Sequence, residues 1–108
     1  VAPATFEADL CNLAATEGRL DVLSLARAHG CDWDEVTCAL AAARGSVEIL
    51  RYLRQNGCPW DVFTCARAAE EGHLPVLRWA WEHGCEWNEA VCMAAAYGGH
   101  LDIIRWAR

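Results

Sequence analysis

Residues 45–71 read GSVEILRYLRQNGCPWDVFTCARAAEE, and this stretch holds one complete unit of the chain. Val47, Ile49, Leu50, Tyr52 and Leu53 cover one broad helical face and leave Glu48, Arg51 and Arg54 to water. Ser46 is placed to cap this outer helix, and Asn56-Gly57 ends it, the glycine supplying a left-handed turn. After Cys58-Pro59-Trp60, Asp61 is placed to cap a second helix carrying Cys65, Ala68 and Ala69, which runs to Gly72.

The marker residues of that unit return every 27 residues. Gly18, Gly45, Gly72 and Gly99 keep the beat, as do Cys31, Cys58 and Cys85, and Trp33, Trp60 and Trp87. Cys11, Cys38, Cys65 and Cys92 follow it with the Ala pairs at 14/15, 41/42, 68/69 and 95/96. A period in this range marks a repeat array. Asp34 and Asn88 stand in register with Asp61, Glu7 is a weaker cap, and Pro75 falls in a first turn, where its missing N–H is harmless. Helices this short are marginal alone, so neighbours must supply the burial. The reading is all-α: a solenoid of four helix–turn–helix units, a single array over residues 1–108. The chain opens at Val1, part-way through a unit, and Leu101, Ile103, Ile104 and Trp106 have no following unit to cover them. Both facts predict a segment of a longer array, or end-to-end self-association.

Composition narrows function. The formal charge is −6 and every basic residue is Arg, with no basic run to grip a phosphate backbone, so nucleic acid is excluded as the main partner. No apolar stretch approaches the roughly 18 residues of a membrane span. The seven cysteines include no CxxC pair and sit in helical text. They read as reduced, buried thiols of an intracellular protein, cytoplasmic or nuclear. Zinc needs four donors around one ion, whereas side chains in register on stacked helices stand about 8–10 Å apart. Mixed pairs such as Cys31 with Cys38 could approach, yet no spacing supplies four ligands. No cysteine is singled out as a nucleophile, because each has equivalents; His29 and His83 match Asn56 at a helix end. Neither enzyme nor cofactor is expected. The arginines recur too, Arg51, Arg78 and Arg105 on one line and Arg27, Arg54 and Arg108 on another, with Glu48 and Asp102 spaced for helical ion pairs.

The copies also disagree informatively. The units beginning at Gly45 and Gly72 share nine of 27 residues. In the Cys–Ala helices the Cys and Ala positions are held, whereas Phe63 is matched by Asp9, Val36 and Ala90, and Arg67 by Leu13, Leu40 and Ala94. Each such helix therefore has a packed face and a free face.

Gly72-His73-Leu74-Pro75-Val76-Leu77, followed by Gly84-Cys85-Glu86-Trp87-Asn88, resembles the ankyrin repeat, as does Ala95-Ala96-Tyr97-Gly98-Gly99-His100-Leu101-Asp102. The 27-residue Gly-Cys-x-Trp form is similar to short ankyrin-type arrays of protists and large DNA viruses. Its unit lacks six residues of the usual 33, where that family carries a β-hairpin finger and a Thr-Pro-Leu-His turn, so the finger is shortened or absent. Trp33, Trp60 and Trp87, with Phe6 in the first copy, are expected to bury themselves in the space so left. His73 and His100 match the family's helix-start histidines. The resemblance further implies that the Cys–Ala helices line a concave partner surface. On it would lie Asp9, Asn12, Leu13, Glu35, Val36, Leu40, Phe63, Arg67, Glu70, Met93 and Tyr97, with Phe63, Met93 and Tyr97 beside Arg67 as anchors. The expected function is a protein-interaction module. A passive spacer is the alternative within that class, and a thiol-based metal or redox protein the alternative outside it.

Overall fold

The structure is a computed structural model that describes residues 8–107, with side chains from Leu10 onward. Eight helices follow one another: α1 (Ala8–Glu17), α2 (Leu20–Ala28), α3 (Glu35–Arg44), α4 (Val47–Gln55), α5 (Val62–Glu70), α6 (Leu74–Glu82), α7 (Glu89–Tyr97) and α8 (Leu101–Ala107). Among the described residues there is no strand. The caps are those the sequence marks. Asp34, Asp61 and Asn88 accept from the backbone N–H of Val36, Phe63 and Ala90 at 3.0, 3.0 and 2.8 Å, and Ser46 accepts from Ile49 at 3.1 Å. Glu7 and Phe6 lie outside the described residues.

The odd-numbered helices stack directly on one another, α1 on α3, α3 on α5 and α5 on α7, while each even-numbered helix packs mainly on its own partner. The seam between stacked helices is made of small side chains: Cys38, Ala41, Ala42, Cys65, Ala68 and Ala69 are wholly buried. The outer helices add Leu23, Ile49, Leu50, Leu53, Val76 and Leu77 to the same core. Stacking in one direction gives a body of 54 × 22 × 19 Å.

The repeated glycine meets two demands at once. Gly45 and Gly72 hold φ of 88° and 80°, a left-handed conformation that closes each Cys–Ala helix. A Cβ on Gly72 would also fall 2.5 Å from His100, and one on Gly45 2.7 Å from His73. Those rings come close because each reaches back across a unit boundary. His73 Nε2–H donates to the carbonyl of Ala43, and His100 Nε2–H to that of Glu70, both at 2.9 Å. The register-equivalent carbonyl of Thr16 receives Arg44 Nη1 at 3.4 Å. Carbonyls left over at the end of one helix are thus satisfied by the next unit. Neither role is helix capping, since the His73 side chain caps nothing.

Three expectations are corrected. Trp33, Trp60 and Trp87 are only half-buried; they bridge outer helices, meeting Tyr52, Trp79 and Trp106 edge-on at 6.2, 5.9 and 5.7 Å. Ile103 is fully buried within its own unit and Ile104 and Trp106 are half-buried, so of the terminal apolar set only Leu101 stands open. The pairs Glu48–Arg51 and Asp102–Arg105 do not close; among the described residues the ion pair is Arg19–Asp21, at 3.1 Å on the surface.

One buried polar atom lacks a partner among the described residues, the Thr64 hydroxyl. In the preceding unit Thr37 accepts from the Asp34 N–H at 3.2 Å and donates to Asn12 Oδ1 at 2.6 Å, but Ala39 stands where Asn12 would be needed for Thr64. The next unit has already replaced the threonine, by Val91, which is fully buried. Thr64→Val should therefore raise stability by about 1 kcal/mol, the desolvation penalty of an unpaired buried hydroxyl. Chemical denaturation of both proteins checks this, and a lower midpoint for the variant contradicts it. Trp60→Ala, which removes an inter-helix bridge, should cost about 3 kcal/mol, the low end for an aromatic truncation because the ring is half-exposed. An unchanged thermal melt would refute that role.

Candidate partner-binding face

The free face of the Cys–Ala helices is set by geometry. With Cys65, Ala68 and Ala69 of α5 turned into the stack, Phe63 and Arg67 must point outward. The same rotation exposes Leu13 on α1, Glu35 and Val36 on α3, and Met93 and Tyr97 on α7. Phe63 is 63 % exposed and Tyr97 86 %. Among the described residues eight large apolar side chains are exposed, and five of them lie on these helices. Exposed apolar groups are ordinary when scattered, but an aligned set on one layer is not.

A shallow cavity of about 220 Å³ forms between α3 and α5, lined by Glu35, Val36, Ala39, Leu40, Asp61, Phe63 and Arg67. It brings together five of the residues singled out from sequence: Glu35, Val36, Leu40, Phe63 and Arg67. Its floor is apolar and its rim carries one carboxylate and one guanidinium free of ion pairs, while Asp61 is occupied in capping α5. The volume lies below the roughly 300–1,000 Å³ of small-molecule sites, so it suits a single side chain of a larger partner. Met93 and Tyr97 do not line it; they stand one helix further along, on α7. Leu13 borders a separate depression with Leu10, Ala14, Glu17, Arg19 and Val22. Glu70 is half-buried, with its backbone carbonyl engaged by His100. Asn12 is half-buried and held by Thr37, and the Asp9 side chain lies outside the described residues.

The thiols follow a pattern that sequence reasoning missed. Each Cys of a Cys–Ala helix meets the one twenty residues later, so the pairs are Cys11–Cys31, Cys38–Cys58 and Cys65–Cys85, and not Cys31–Cys38. Cys38 donates to Cys58 Sγ at 3.6 Å, and Cys58 donates to the Asp34 carbonyl at 3.3 Å; Cys85 donates in the same way to Asp61. The position twenty residues beyond Cys92 falls past residue 108. Burial, with help from Cys31, pushes the Cys11 thiol up to about 12. The hydrogen bond to Cys38, then burial, raises Cys58. In the third pair the hydrogen bond to Cys85, then burial, raises Cys65. No group of three or more His, Cys, Asp or Glu side chains is placed to hold a metal among the described residues. Two sulfurs in contact fall short of a closed zinc shell.

Residues 65–108 match the family model described as ankyrin repeats (many copies). That segment is similar to ankyrin repeats, and the array as a whole is an all-α, ankyrin-like solenoid. The units before residue 65 repeat its period, caps and stacking. Ankyrin repeats generally serve as protein-interaction modules and are generally non-enzymatic. No curated protein matches the chain. No helix among the described residues is long and apolar enough to cross a membrane.

Six of the seven thiols of this array are buried and Cys92 is half-buried. Brief treatment with a neutral alkylating agent near pH 8 should therefore modify Cys92 first, and the other six only after unfolding. Peptide mass mapping before and after denaturant checks the order. Fast native labelling of Cys38 or Cys58 would contradict it.

Proposed function

We propose that this chain binds a protein partner through the free face of α1, α3, α5 and α7, with the Phe63 cavity as the anchoring point. The observation that carries this reading is the cavity between α3 and α5, where an apolar floor meets Glu35 on one side and Arg67 on the other. Burying an exposed aromatic in a partner is a strong source of binding energy, and flanking charges of both signs select orientation. The partner that fits presents one large apolar side chain with an acidic neighbour for Arg67 and a basic one for Glu35. Met93 and Tyr97 extend the contact along α7. A concave outline, as in other ankyrin arrays, would let one partner span several units.

The test is affinity capture by the intact chain, repeated with Phe63→Ser, with Arg67→Glu and with Arg78→Glu on the outer helix α6. The first two should each weaken capture of a specific protein about tenfold or more, as expected for hot-spot residues, and the third should leave it unchanged. Circular dichroism establishes that all three remain folded. Identical capture by all three variants would favour a passive spacer and end this reading.

A further inference from the structure

Two of the repeated tryptophans carry a cation from this chain's own sequence. Arg27 lies over the Trp33 ring with its guanidinium carbon 4.1 Å from the centroid, and Arg54 lies over Trp60 at 4.3 Å. Each guanidinium also donates through Nη1 to a backbone carbonyl, of Cys31 at 2.8 Å and of Cys58 at 2.7 Å. On its other flank each tryptophan meets an aromatic ring of the next outer helix, Tyr52 or Trp79. The repeating arrangement is thus an indole between an arginine and a second ring.

The third copy breaks this arrangement at one position. The residue in register with Arg27 and Arg54 is Trp81, 54 % exposed. Trp87 keeps its aromatic neighbour Trp106 at 5.7 Å and 70°, and on the arginine side meets Trp81 edge-on at 5.4 Å and 73°. The three indoles and Ala107 line an open cavity of about 270 Å³, with no charged side chain among the described residues of its wall. An electron-rich aromatic enclosure attracts cations, and clustered rings are the usual receptor for quaternary ammonium groups. The internal cation of the first two copies is missing from the third, and a pocket stands in its place.

We propose that Trp81, Trp87 and Trp106 form a binding site for a trimethylated lysine side chain of a partner protein. In the closed copies the guanidinium needs a carbonyl acceptor as well as the ring. A trimethylated ammonium has no N–H group to satisfy, so the rings alone can hold it, whereas an unmodified ammonium needs acceptors that indole rings do not supply. A lysine delivers its charge along an alkyl stem, as Arg27 and Arg54 do, whereas a choline lipid headgroup would bring a phosphate, for which none of the described lining residues is a cationic partner. The site lies on the outer-helix layer, so it stands independently of the face proposed above.

The test titrates the intact chain, following tryptophan fluorescence, with one short peptide in four forms. These carry trimethyllysine, lysine, arginine, or the neutral tert-butyl isostere of trimethyllysine. Trimethyllysine should bind saturably, and the lysine peptide and neutral isostere should bind at least roughly tenfold more weakly. Trp81→Arg restores the residue found in the first two copies and should keep the fold while abolishing binding. Trp81→Ala removes an exposed ring and should weaken binding likewise. Equal affinity for the neutral isostere overturns the proposal. So does preference for arginine, binding to phosphatidylcholine vesicles but not to the peptide, or binding unaltered in both Trp81 variants.

Discussion

Among the described residues no helix exceeds ten residues, and helices of that length do not persist alone in water. The array therefore depends on one seam, the close contact of successive Cys–Ala helices across unit boundaries. Alanine and cysteine are small enough to bring the backbones together and apolar enough to profit from burial. Other repeated features serve that approach. Glycine at the end of α1, α3 and α5 admits a side chain of the next unit, which satisfies the exposed carbonyl. Asp or Asn starts the next helix of the stack at a fixed point, so that its small residues face the seam. The tryptophans tie the outer helices, which touch one another less, through the loops between them.

This division of labour accounts for where reactive and aromatic groups lie. Cysteine is usually examined for chemistry and tryptophan for ligand contacts, but here most of both types belong to the frame. The thiols are paired and shielded, with Cys11 and Cys58 shifted away from the ionised form. Two of the loop tryptophans are closed by this chain's own arginines. Surface free of these duties includes the outward side of the stacked helices and the third tryptophan, where the closing arginine is absent.

Much of this was legible from the period alone. Helix number, the caps Asp34, Ser46, Asp61 and Asn88, and the burial of the Cys and Ala positions in α1, α3 and α5 follow from local rules that need no knowledge of the neighbour; on α7 Cys92 is half-buried and Ala96 exposed. Phe63 and Arg67 were legible as outward-facing for the same reason, since helical rotation fixes them once Cys65 and Ala68 are inside. What could not be read required a distance across the boundary. The twenty-residue thiol pairing, the reach of His73 to Ala43 and the grouping of Phe63 with Val36 instead of Met93 all depend on how one unit is offset from the next. The arginine–tryptophan stacking sits between these cases. The register of Arg27 with Arg54 was visible, and so was the gap at position 81, but only the ring contacts give that gap a meaning.

The seam has a further property. The Cys and Ala positions by which α3 meets α5 recur where α5 meets α7, so this part of the interface carries little address. A unit from a second copy of the chain can enter the same berth with the Cys–Ala seam preserved, which lowers the cost of exchanging whole units between molecules. By the same logic, insertion or deletion of 27 residues leaves both new neighbours correctly seated. The length of such an array is thus easily edited, while the interior of each unit tolerates little change.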